Sequence, residues 1–137
     1  MAVQIPPTER PEFALGMRLH NEGEYYEAHE AWEAIWRDEE DDAYRLFVQG
    51  LIQVTSAFHK LVHQREPGGA SRLLSRGLSK LEPYPGDYLG VELDSFRREA
   101  LACVPVIAAL EGNRAAAATF DRAKIPALRL HAPKQPA

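Results

Sequence analysis

Between Glu27 and Trp36 the chain reads Glu-Ala-His-Glu-Ala-Trp-Glu-Ala-Ile-Trp, with three carboxylates, one histidine and two tryptophans. On a helix, His29 and Glu33 at i, i+4 are neighbours, and Glu30 and Glu33 at i, i+3 share the same surface. A histidine beside a carboxylate is a candidate acid/base pair. His29, Glu30 and Glu33 are therefore the candidate catalytic residues. Each also has an ordinary use. His29 can wedge beside Trp36 and bond Glu33, and both glutamates can pair with nearby arginines. Trp32 and Trp36 read as core anchors. Glu27 points furthest from the core and reads as a solvated charge.

Metal chemistry fits the pattern poorly. Carboxylate centres in helical bundles use Glu-x-x-His pairs from two helices together with further glutamates. Here His29 falls at the wrong offset from Glu27 and Glu30, and residues 43–64 contain no carboxylate. No metal ligand set and no cofactor is expected.

The elements that position these groups are helical. Apolar spacing predicts helices over about Thr8 to His20, Tyr25 to Arg37, Ala43 to Gln64 and Ala70 to Leu81, and another from near Val91. Gly23 supplies the turn before the second helix. The acidic run 38–42 ends that helix by charge repulsion. The third helix is apolar over most of its circumference and should be central. Pro67-Gly68-Gly69 is expected to end it. Pro105 should kink or split the fifth helix. The spacing predicts an all-α fold: a compact bundle of about five helices with short connections and antiparallel neighbours. Residues 8–112 form the expected single domain, 1–7 a loose arm, and 113–137 a short helical turn with an extended tail. The segment around Gly23 resembles the middle of a tetratricopeptide-like helix hairpin, without a 34-residue repeat.

A second polar row lies on the third helix. Gln49, Gln53, Ser56 and Lys60 share one face, Gly50 beside them permits close approach, and His59 and His63 form an adjacent i, i+4 pair. Amides on an apolar helix need partners. Antiparallel packing is expected to bring Gln49 and Gln53 to His29, Glu30 and Glu33. On the fourth helix Arg72, Arg76 and Lys80 form a basic stripe interleaved with Ser71, Ser75 and Ser79. It is a natural counterpart for the acidic run 38–42, within the chain or across a homodimer.

Bulk properties narrow the classes. The chain has 137 residues, a net charge of −4 and one cysteine. That length suits a single core. The charge gives no global argument for nucleic acid, and none is expected as a partner. Cys103, in an apolar run, reads as an inert buried thiol. Residues 1–7 lack the basic and apolar regions of a signal peptide, and no apolar run is long enough to span a membrane. The expected location is the cytoplasm.

The run from Asn21 to Trp36, followed by Leu46-Phe47-Val48-Gln49-Gly50-Leu51-Ile52-Gln53, resembles the domain of unknown function 309 family. Gly77-Leu78-Ser79-Lys80-Leu81 with Tyr84-Pro85 is similar to that family too. The resemblance covers roughly residues 12–100. It implies a small all-helical fold of prokaryotes and some plastid-bearing lineages, with no established reaction. The family-typical positions it carries over are Asn21, Gly23, Tyr26, Glu27, His29, Glu30, Glu33, Trp36, Gln49, Gln53 and Gly77. Of these, Asn21, Tyr26, Glu27, Trp36, Gln49 and Gln53 are the candidate binding residues. The leading expectation is a module that binds an unknown protein partner or itself. The alternative is a small hydrolase or metal-dependent enzyme using His29 with Glu30 and Glu33.

Overall fold

The structure is a computed structural model that describes residues 10–131. Within them lie six α-helices: α1 Pro11–Asn21, α2 Tyr25–Asp38, α3 Asp42–Val62, α4 Pro67–Leu81, α5 Leu93–Ala108 and the short α6 Arg114–Ala117. The fold is an all-α compact bundle, with α3 packed between α2 and α4. Among the described residues the only β pairing is an isolated antiparallel bridge, Val91 to Leu130.

Local chemistry sets most boundaries. Pro11 occupies the first turn of α1, where a missing N–H costs nothing. The α1–α2 turn passes through Gly23 at φ +84°, a left-handed conformation that favours glycine. The acidic run is more than a break. Its Asp41 side chain accepts the Tyr44 amide at 3.1 Å and caps α3. Glu39 bonds Arg10 at 2.7 Å. At the other end of α3 the structure differs from expectation, because α4 begins at Pro67 rather than Ala70. The proline supplies its first turn, where the ring is pre-organised for a helix.

One core runs through the described body, from Phe13 on α1 to Leu128 near the end. Trp32, Phe47, Leu51, Phe58, Leu74, Phe96 and Ile107 are fully buried within it. The helices α3 and α4 cross where Gly50 meets Gly77. A Cβ on Gly77 would lie 2.9 Å from the Gly50 carbonyl oxygen, and one on Gly50 would lie 2.8 Å from the Leu81 side chain. Gly50 thus serves a close helix contact, and its partner is α4. The carbonyls at the end of α4 are gathered by Arg97, whose Nη1 donates to Leu81 at 2.8 Å and Tyr84 at 2.7 Å. Helix α5 continues through Pro105 without splitting. That proline stands in the last turn, and the bond its missing N–H forgoes, to the Leu101 carbonyl, lies on the exposed side of the helix.

After α6 the chain crosses back over the bundle. Phe120 and Leu128 enter the core, and the Glu92 amide donates to the Arg129 carbonyl at 2.8 Å. No helix among the described residues is long and apolar enough to cross a membrane. Residues 1–9 and 132–137, including the expected arm at 1–7 and the end of the tail, lie outside the described residues.

Candidate functional site

The seam of α2 and α3 brings histidines from both helices together. Consecutive helical residues point about 100° apart, so Tyr25 enters the core while Tyr26 stays half exposed. The Tyr26 ring then lies 5.9 Å from His29 on its own helix and 5.5 Å from His59 on α3. His59 is 5.4 Å from His63, one turn on. Tyr26, His29, Ser56, His59, Lys60 and Gln64 line an open cleft of about 200 Å³.

Within this cleft one atom is unsatisfied. Nδ1 of His59 is buried and has no hydrogen-bond partner. Burial first, then the neighbouring His63, pushes the His59 pKa below the usual histidine range. The ring is therefore neutral at pH 7, with one nitrogen donating and the other accepting. A buried polar atom left unpaired costs about 1–3 kcal/mol. Lys60 at the cleft edge bonds Glu66 at 3.3 Å.

The three candidate catalytic residues are arranged around this cleft unequally. His29 lines it, with Nε2 3.5 Å from Glu33 Oε1. Glu33 is shared, because Arg37 lies 3.5 Å from its other oxygen. Glu30 is exposed beside Tyr26, and by hydrogen bonding and charge it raises that phenol above its ordinary range. Glu27 is exposed.

The glutamines go elsewhere. Gln53 accepts a bond from Lys80 of α4 at 2.9 Å, and Gln49 sits half-buried on the same row. Among the described residues no hydrogen bond links either to His29, Glu30 or Glu33. The row from Gln49 to Lys60 runs along the outer rim of α3, and at Gln53 it meets α4. Trp36 is half-buried beneath Arg45, whose guanidinium lies 4.1 Å from the indole centroid. Arg45 Nε also donates to the Trp36 carbonyl at 3.1 Å. Among the described residues no group of three or more His, Cys, Asp or Glu side chains is placed to hold a metal ion.

Because Glu33 is a partly exposed member of two loose pairs, Glu33→Ala is expected to cost less than about 1 kcal/mol. Urea unfolding measures this. A loss of about 3 kcal/mol or more would mean that the pair belongs to a closed network.

Asn21 has a different kind of partner. Its side chain brackets the backbone of Leu128, donating to that carbonyl at 2.9 Å and accepting its amide at 2.8 Å. Next to it lies a feature that helical spacing alone does not reveal. His20 is buried, with Nδ1 3.0 Å from Thr55 Oγ1 and Nε2 2.8 Å from the Pro126 carbonyl. A carbonyl only accepts, so Nε2 carries the proton and Nδ1 accepts from the threonine hydroxyl. Burial lowers the His20 pKa to about 4, against the opposing effect of the Pro126 bond. His20 and Asn21 together fasten residues 126–128 across α1 and α3.

Cys103 is buried and donates to the Lys124 carbonyl at 3.4 Å. Burial raises its pKa, which leaves an unreactive thiol.

The chain's similarity to known proteins falls on the same region. Residues 13–73 match the family model described as a domain of unknown function (DUF309), which supports the family that the sequence resembles. All six residues lining the cleft lie inside that match. No curated protein matches the chain.

Proposed function

We infer that the domain matched by this family model is a protein-binding module, and that the α2–α3 cleft receives one polar side chain of its partner. The unpaired His59 Nδ1 carries this reading, because a partner group that bonds it removes an existing penalty. Size supports a side chain over a free metabolite. Small-molecule pockets run to about 300–1,000 Å³, and this cleft holds about 200 Å³. Tyr26, half exposed at its rim, is the kind of aromatic that anchors protein interfaces.

A photo-crosslinking amino acid in place of Tyr26, compared with the same group in place of Leu101 on α5, tests the reading in living cells. A discrete adduct with another protein from position 26, abolished by His59→Ala, is the expected result. Absence of any adduct at position 26, or equal adducts from both positions, rejects it.

A second reading is a small hydrolase or metal-dependent enzyme. The 3.5 Å approach of His29 to Glu33 at the cleft wall favours it, because a carboxylate-oriented imidazole is a general base. That reading requires substrate turnover that His29→Ala abolishes while stability is kept.

A further inference from the structure

The outer face formed by α3 and α4 is charged in opposite senses at its two ends. The helices run antiparallel in a register fixed by three contacts. Gln53 bonds Lys80, Gly77 packs on Gly50 and Val54, and Gly69 lies against Lys60. Gln49 is therefore about level with Lys80. Toward one end lie Leu46, Asp42 and Glu40, all exposed. Toward the other lie the exposed Arg76 and Arg72. None of these four charged side chains has an ion-pair partner among the described residues. Between them Ser75, Arg76, Ser79 and Lys80 form a shallow groove of about 350 Å³.

We propose that this face is self-complementary and pairs with a second copy of the chain. A two-fold axis perpendicular to α3 and α4, passing near Gln49 and Lys80, superposes the acidic end of each copy on the basic end of the other. Asp42 lies seven residues from Gln49, roughly 10 Å along the helix, and Arg76 lies four residues from Lys80, roughly 6 Å. The long arginine side chain spans the difference. The same axis lays α3 of one copy over α3 of the other, so Arg76 meets Asp42 of the other copy diagonally, across one helix spacing of about 8–10 Å, and Arg72 extends toward Glu40. Leu46, 49% exposed, sits close to the axis and packs on α3 of the other copy near Gln53. The pattern is what a closed two-fold interface requires, because each patch meets its own complement twice. A face with one charge throughout would repel its copy.

This pairing does not rest on the reading of the α2–α3 cleft, although Ser56 and Lys60 border both surfaces. Sedimentation velocity on the full chain at low and moderate salt reads it directly. The expected result is a species of twice the 15.3 kDa chain mass, weakening as salt screens the pairs. Arg76→Glu alone and Asp42→Arg alone are each expected to raise the dissociation constant by about tenfold or more, since each sets like charges together. Combining Arg76→Glu with Asp42→Arg restores opposite charges and is expected to restore the dimer. Circular dichroism checks that each variant is folded. A monomer at all concentrations overturns the proposal. So does a dimer that survives both single changes, or a double variant that stays dissociated while folded.

Discussion

Replacing Trp32 by alanine is expected to destabilise the fold by about 3–5 kcal/mol, the usual cost of emptying a buried aromatic site. The indole is fully buried and lies 6.2 Å from Phe13 and 6.1 Å from His20. Its Nε1 donates to the Phe13 carbonyl at 3.3 Å. The helix α1 can approach this closely only because residue 16 is glycine. A Cβ there would overlap the Trp32 indole at Nε1. That contact gives a test with a change of sign. Gly16→Ala is expected to be strongly destabilising in the native chain. In the Trp32→Ala background the new methyl enters vacated space, and replacing a helical glycine by alanine gains about 1 kcal/mol. A double-mutant cycle by urea denaturation measures this coupling. If Gly16→Ala has the same effect in both backgrounds, the indole is not what holds α1 at this distance.

The second large effect is a loss of stability in acid through His20. Its pKa is about 4 in the fold and 6.5 when exposed. Between these values the unfolded chain binds a proton that the folded chain does not. Stability from the neutral ring is therefore complete above pH 6.5 and is lost as pH falls toward 4. The shift corresponds to about 3 kcal/mol at 1.36 kcal/mol per pKa unit. Unfolding free energies of the native chain and of His20→Gln, compared across this window, isolate the contribution from that of the carboxylates. The native chain is expected to lose its advantage over the variant as pH falls from 6.5 to 4. Parallel pH curves would show that the imidazole stays solvated.

Helical periodicity locates α1 to α5 because each carries an apolar face that must be buried. It also identifies α3 as central, since only a helix covered on most sides can carry so few polar residues. Proline at 67 is harder to interpret. The same residue that ends one helix begins the next, and propensity alone does not apportion it. The fate of Gln53 is undetermined for a different reason. A helical wheel shows which residues share a row but not which neighbour that row meets, and Lys80 on α4 is that neighbour. The sequence presents His29, Tyr26 and His59 as separate pieces on two helices. Their meeting in one cleft depends on the relative rotation of α2 and α3, which no single-helix pattern encodes. His20 has apolar neighbours at helical spacing, but its carbonyl partner stands 106 residues away. Nothing local announces such a bond.

The Asn21 bracket on Leu128 spans 107 residues of sequence, which makes it a folding problem as much as a structural contact. The helices α1 to α4 can collapse through near-neighbour contacts, quickly and with little loop entropy to overcome. The strap at 126–128 docks on α1 across this whole span, and closing a loop of that length carries its own entropic cost. The segment that matches the family model stops at residue 73. The body that folds does not stop there, because α4 runs on to Leu81 and the α1–α3 seam stays open until Leu128 arrives. The end of the matched segment and the end of the packed core therefore fall in different places. During synthesis, α1 would wait for a residue made long after it before its polar end was sealed.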